Sequence, residues 1–135
     1  MTNLELARWY SALLGTTLVA LGLAAFFENP IVGRPSGEPV FYAGAALNVI
    51  HVVSGAVALF IAFGLLGAGL IRGLLGFGLA YALLLALSVA SPRLFGLSDV
   101  PVNLAGNVLH AGVAVISLAV GWLARGGAEP ELGTG

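Results

Sequence analysis

The only two histidines of the chain, His51 and His110, each follow an asparagine by three residues inside a long apolar run. Two imidazoles at equal depth on two helices of a bundle are what bis-histidine ligation of a b-type haem requires. Neutral histidine also carries one donor and one acceptor, and asparagine carries both kinds, so these groups can instead hydrogen-bond to one another. The pattern therefore predicts either a haem site or a polar cluster that holds helices in register.

The polar cluster is the leading interpretation, and it has a physical reason. A polar group buried in an apolar environment without a hydrogen bond is costly, so buried polar side chains are expected to pair. We predict a buried, mutually hydrogen-bonded set made of Asn48, His51, Asn103, Asn107 and His110. On this interpretation, replacing either histidine with leucine lowers thermal stability in detergent. In the haem alternative the protein is a b-type haem-binding electron carrier with His51 and His110 as the axial ligands, and no other cofactor is predicted.

The composition is that of a membrane protein. Of the 135 residues, 59% are apolar and 8% are charged, whereas a soluble domain carries roughly 25% charged residues. A helix needs about 20 residues to cross the hydrocarbon core of a bilayer. Four uncharged stretches meet this length, and the second also leaves room for a connection: 9–27, 39–71, 73–92 and 100–124.

The predicted helices cover approximately 5–27, 42–65, 70–91 and 102–124. Proline and glycine predict long loops after the first and third helices, whereas Gly-Ala-Gly at 67–69 joins the second and third helices almost directly. The fold class is therefore an all-α, polytopic membrane four-helix bundle built from two tandem transmembrane hairpins, near 5–65 and 70–124. These hairpins form one domain, 1–124, and the polar tail 125–135 is predicted to be disordered.

Small and polar residues recur at helical spacing in the second and fourth helices. At an offset of 59 residues, Gly44, Asn48, His51, Gly55, Ala58 and Ala62 correspond to Asn103, Asn107, His110, Ala114, Ser117 and Gly121. Each set lies on one stripe of its helix, and parallel second and fourth helices place both histidines roughly 12–14 Å below one surface. Because helices in lipid associate through small residues, the predicted helix-packing positions are Gly44, Gly55, Ala58, Ala62, Ala114, Ser117 and Gly121.

The first and third helices carry similar stripes of small residues. The same spacing predicts packing through Ser11, Gly15, Gly22 and Ala25 in the first helix, and through Gly69, Gly73, Gly76 and Ala80 in the third. Leucine, valine and phenylalanine on the remaining faces are expected to contact lipid.

Several function classes have no support in the sequence. The chain has no lysine and only five arginines, which are scattered, so no nucleic-acid partner is predicted. It has no cysteine, and two histidines with asparagines form an incomplete ligand set, so no metal site is predicted. No hydrolase or phosphate-binding motif is present, so no catalytic residue is assigned. No acidic residue lies within the core of a span, which argues against proton-coupled export.

The two matched motifs also carry a resemblance to a family. Asn-Val-Ile-His at 48–51 and Asn-Val-Leu-His at 107–110 resemble the Asn-x-x-His signature of bacterial four-helix membrane proteins grouped as a domain of unknown function. The resemblance covers most of 5–124 and assigns its signature positions to Asn48, His51, Gly55, Asn107 and His110. It implies the bacterial inner membrane and no established activity.

We therefore expect a structural or partner-binding role in the lipid bilayer, with a second copy or another membrane protein as partner. Arg8, Arg72 and Arg125 lie on the side of the predicted termini, and Arg34 and Arg93 on the other. Because cytoplasmic loops carry an excess of arginine and lysine, this distribution favours both termini in the cytoplasm.

Overall fold

The computed structural model describes residues 1–127, in which four long helices form a bundle. The helices are α1 (Asn3–Ala24), α2 (Ala45–Gly64), α3 (Gly67–Ala90) and α4 (Leu104–Arg125). All four are long and apolar enough to cross a membrane. The prediction of an all-α membrane bundle of two hairpins is confirmed. α4 extends one residue past the predicted boundary, and positions 128–135 of the predicted tail lie outside the described residues.

The loop between α1 and α2 contains a short parallel strand pair that the sequence did not predict. β1 (Val32–Gly33) pairs with β2 (Phe41–Tyr42), and one 3-10 turn lies between them. Asn29 organises the start of this loop, because its side chain accepts from the backbone N–H of Ile31 and Val32. Hydrogen bonds thus hold the loop in one conformation, which fixes the position where α2 begins.

Side-chain caps fix the starts of α1 and α4. The Thr2 hydroxyl accepts from the Glu5 N–H, and the Glu5 carboxylate accepts from the Thr2 N–H, which is a complete capping box. Asn103 caps α4 by accepting from the Gly106 N–H at 3.1 Å. Each cap satisfies backbone donors that the first helical turn leaves free.

The connection between α2 and α3 is shorter than predicted. Gly67–Gly69 belong to the first turn of α3, and the chain reverses at Leu65 and Leu66, which are extended. Gly67 has a φ of +46°, a conformation that favours glycine. The Arg8 guanidinium of α1 donates to the backbone carbonyls of Ala62 and Leu65. It therefore satisfies carbonyls that the end of α2 leaves unpaired.

Within each hairpin the two helices touch at their backbones. A Cβ atom built on Gly55 of α2 would lie 2.7 Å from the Gly15 carbonyl oxygen of α1, and one built on Gly78 of α3 would lie 3.1 Å from the Ala114 carbonyl oxygen of α4. The Ser11 hydroxyl adds a 2.7 Å hydrogen bond to a backbone carbonyl of α2. Close approach through small residues is the expected packing mode in lipid.

The seven predicted helix-packing residues are all buried: Gly44, Gly55, Ala58, Ala62, Ala114, Ser117 and Gly121. Gly44 differs from the others because it packs against Asp99 and Val100 of the second loop rather than against a helix.

The packing stripe predicted for α3 holds at Gly73, where an added Cβ would lie 3.1 Å from the Ile61 side chain of α2, and is wrong at Gly76 and Ala80. Within residues 1–127, nothing outside its own helical backbone lies within 4 Å of a Cβ built on Gly76, and Ala80 is exposed. The inner face of α3 instead carries larger residues together with Gly78: Leu70, Leu74, Phe77 and Tyr81. Gly76 and Ala80 therefore lie toward the outside of the bundle.

Candidate functional site

His51 and His110 meet in the centre of the bundle. Each is the seventh residue of its helix, counted from Ala45 in α2 and from Leu104 in α4. Their ring centroids are 5.9 Å apart, and the ring planes are inclined by 63°. Their exposed fractions are 2% and 0%. The helices begin later than predicted, so each histidine lies about 9 Å along its helix rather than 12–14 Å.

Neither histidine is hydrogen-bonded within the described residues. All four ring nitrogens of the pair lack a partner there, as does the buried Oδ1 atom of Asn48. The mutual hydrogen bonding predicted for the five-residue cluster is therefore absent from this part of the chain. A buried polar group without a partner costs about 1–3 kcal/mol, so the pair does not stabilise the helices by hydrogen bonding.

Two of the five predicted cluster residues have other roles. Asn107 accepts a 2.7 Å hydrogen bond from the Ser88 hydroxyl, which connects α4 to α3. Asn103 caps α4 and also holds the first loop, since it accepts from the Tyr42 N–H at 3.2 Å and donates to the Val40 carbonyl at 2.9 Å. The structure thus leaves Asn48 and the two histidines as the unpaired part of the set.

Tyr81 of α3 belongs to the site and was missed by the sequence analysis. Its ring centroid lies 5.8 Å from that of His110, and its ring stacks on Phe77. Its hydroxyl is 2.8 Å from the Ser54 hydroxyl of α2. Tyrosines of membrane proteins concentrate at the membrane–water interfaces. A tyrosine in the middle of a span was therefore the sequence signal that could have identified Tyr81 as part of the site.

The spacing of the two rings suits a shared metal ion. A metal bonds an imidazole nitrogen at about 2.0 Å and that nitrogen lies about 1 Å from its ring centroid, so two imidazoles in line with one ion have centroids about 6 Å apart. The observed centroid distance of 5.9 Å is of this size, and coordination also requires that one nitrogen of each ring turn toward the other ring. A haem iron meets the same condition, but its porphyrin also needs a flat opening that extends beyond the rings between the helices.

The packing around the pair does not fit a porphyrin. Each neighbouring pair of helices is in contact near the histidines, and the two intra-hairpin interfaces are in contact on both sides of them. These contacts are Gly15–Gly55 and Gly22–Asn48 between α1 and α2, Gly78–Ala114 and Ser88–Asn107 between α3 and α4, Ser54–Tyr81 between α2 and α3, and Tyr10–Ser117 between α1 and α4. Inserting a macrocycle between the histidines would separate at least one of these interfaces.

The two long loops meet at the opposite end from the chain's amino terminus. Arg34 and Asp99 form an ion pair with an N–O distance of 2.6 Å. The hydrogen bond from the Arg34 guanidinium holds the pKa of the Asp99 carboxyl below its usual range. Because both side chains are exposed, the pair contributes little to stability. It does connect the loop of the first hairpin to that of the second.

A lipid-facing groove of about 390 Å³ runs between α2 and α3. Its walls are apolar and include Val49, Val53, Val57 and Ala80. Tyr81 also lines the groove, so the same side chain contacts His110 on the inside and the groove on the outside. The groove therefore lies directly outside the histidine pair.

Fold and site together define a small multi-pass membrane bundle with a buried histidine pair that has no hydrogen-bond partner among residues 1–127. Comparisons with models of known protein families, with curated proteins and with solved structures find no match. The resemblance carried by Asn48, His51, Asn107 and His110 therefore stays a prediction.

Proposed function

We propose that this protein has a structural, partner-binding role in the bacterial inner membrane, and that its partner is a second copy of the same chain bound through the outer face of α3. The observation that carries this proposal is the position of Gly76 and Ala80. Both lie on the outside of the bundle, one helical turn apart, with Ala80 at the edge of the α2–α3 groove.

Contact with lipid alone does not explain small residues on the outer face of a span. Lipid tails are as apolar as leucine, so a lipid-facing span gains nothing from glycine, whereas two small residues four apart let another helix approach closely. The face that α2 contributes to the groove carries larger side chains, Val49, Val53 and Val57. The small-residue pair of α3 therefore supports contact with a protein helix.

A second copy is the occupant that this surface fits best. A two-fold axis places the same face of both chains in contact, so that α3 lies against α3 of the partner. Next to the small pair, Leu79 and Leu83 are 62% and 61% exposed. These apolar side chains can pack into the apolar groove of the partner. The same face therefore offers both the groove and the side chains that fill it, so it is complementary to itself.

The charge distribution supports cytoplasmic termini. Arg8, Arg72 and Arg125 lie at the end of the bundle where α1 begins and α4 ends. At the other end Arg34 is paired with Asp99. An excess of arginine on one side is the signal that orients spans toward the cytoplasm.

Replacing Ala80 with leucine is expected to weaken dimerisation about tenfold, because the added side chain fills the groove edge and costs about 1.4 kcal/mol of association free energy. The measurement is the dimer fraction in lipid nanodiscs or vesicles, by single-molecule photobleaching over a range of protein-to-lipid ratios. Ala119→Leu is the matched control, since Ala119 is an exposed alanine on α4. A chain that is monomeric at every ratio, or a dimer that Ala80→Leu leaves intact, would contradict the proposal.

A further inference from the structure

We propose that His51 and His110 bind one copper(I) ion between them, in linear two-coordinate geometry, at the centre of the bundle. This site is separate from the outer face of α3. It rests on three independent features of the pair: its geometry, its number of ligands and the charge of its surroundings.

The distance between the two rings is of the size that a shared ion requires. The centroid separation of 5.9 Å agrees with the value of about 6 Å expected for two imidazoles in line with one metal. The ring nitrogens have no hydrogen-bond partner among residues 1–127, so their lone pairs are not otherwise used there. The nearest hydroxyl-bearing ring, that of Tyr81, has its oxygen engaged with Ser54. The pair is therefore free to bind an ion without breaking an existing bond.

The number of ligands selects the type of metal. Residues 1–127 contain no group of three or more histidine, cysteine, aspartate or glutamate side chains that could hold an ion. Structural zinc takes four such ligands, which was the objection to a metal site at the sequence level. Copper(I) has a filled d shell and is stable with two ligands in line, and imidazole is a suitable ligand for copper. Two histidines are thus a complete set for this ion.

The surroundings disfavour a divalent ion more strongly than a monovalent one. The acidic residues of the described chain, Glu5, Glu28, Glu38 and Asp99, are all exposed and lie at the ends of the bundle or in loops. None can neutralise an ion at the centre. The cost of moving an ion out of water rises with the square of its charge, so a divalent ion costs about four times as much as a monovalent one. A neutral histidine pair therefore favours copper(I) over zinc(II).

The test is anaerobic titration of the full-length, detergent-purified protein with copper(I) against bicinchoninate as the competing ligand. We expect one copper(I) per chain in the wild type, no binding in the double variant His51→Gln/His110→Gln, and unchanged binding in Ala119→Leu, which keeps both histidines. Because the ion joins α2 to α4, copper(I) is also expected to raise the melting temperature of the wild type. Copper retained by the double variant, or a wild type that binds none, would overturn the proposal.

X-ray absorption at the copper edge keeps the test decisive should the double variant fail to fold. The expected spectrum of the wild type shows two nitrogen ligands at about 2 Å and no sulfur. A sulfur ligand would point to Met1, the only sulfur-containing residue, and a four-coordinate spectrum would point to an external site; either result contradicts the proposal. Displacement of bound copper(I) by equimolar zinc(II) would contradict the role assigned to charge. Since Ala80 lies on the outer face, loss of dimerisation in Ala80→Leu leaves this site unaffected.

Discussion

Replacing Gly55 with valine is expected to lower the free energy of unfolding by about 3 kcal/mol, the upper end of the usual cost of overpacking. A Cβ atom at this position would lie 2.7 Å from the Gly15 carbonyl oxygen and 2.7 Å from the Val19 backbone nitrogen. Both atoms belong to the backbone of α1, so no side chain can rotate away. The first hairpin must open, and the hydrogen bond from Ser11 to α2 would be lost with it.

Gly112→Val is the matched control for this prediction. Gly112 also lies within a membrane-spanning helix, but a Cβ built there would meet no neighbour within 4 Å in the part of the chain that the structure describes. The change in intrinsic helix propensity is the same in both variants. Unfolding in detergent, followed by circular dichroism against temperature or added dodecyl sulfate, separates the two. Equal losses in both variants would show that the α1–α2 contact does not limit stability.

Replacing Asn103 with alanine is expected to cost about 2 kcal/mol, of which about 1 kcal/mol is the lost helix cap. The remaining 1 kcal/mol or so comes from the hydrogen bonds between its side chain and the first loop. These are accepted from the Tyr42 N–H and donated to the Val40 carbonyl. Asn103 is thus a side chain that joins the loop of one hairpin to the first turn of a helix in the other.

Asn103→Asp divides these two contributions. Aspartate is an equally good cap and keeps the acceptor for Gly106 and Tyr42, but it cannot donate to Val40. We therefore expect it to lose about a quarter as much free energy of unfolding as Asn103→Ala, about 0.5 kcal/mol. Chemical denaturation of both variants beside the wild type gives the comparison. An alanine variant as stable as the wild type would show that Asn103 does not connect the two hairpins.

The spans could be predicted from the sequence because charge and helical period determine them directly. Uncharged stretches of sufficient length place four helices, and a 4-and-3 spacing places Gly55, Ala58 and Ala114 on the inner faces, where the structure finds them. Both signals are local, so neither depends on how the helices are arranged. The capping of α1 by Thr2 is also a local pattern of this kind.

The inner face of α3 could not be predicted in this way. Its small residues suggested one stripe, but the interior between the hairpins is wide enough for Leu74, Phe77 and Tyr81, and only Gly78 makes the close contact with α4. Which face turns inward depends on the volume left by the other three helices. The spacing of small residues along α3 alone does not contain that information.

The roles of the buried polar residues depend on helix starts and on side-chain geometry. Because α4 begins at Leu104, two residues later than predicted, Asn103 becomes a cap instead of a member of the buried stripe. Asn107 reaches Ser88, a residue of α3 that the motif does not include. The count of hydrogen-bond donors and acceptors showed that these side chains could pair with one another. It did not show which donor and acceptor atoms lie within hydrogen-bonding distance.

The central claim is that small residues pack the helices together and that the histidine pair does not stabilise this packing. It is tested most directly by the melting temperature of the metal-free double variant His51→Leu/His110→Leu. Apolar side chains of similar volume would replace polar groups that have no hydrogen-bond partner in the described chain, so we expect a melting temperature equal to or above that of the wild type. This reverses the expectation drawn from the sequence. A melting temperature clearly below that of the wild type would contradict the claim and return the histidines to a structural role.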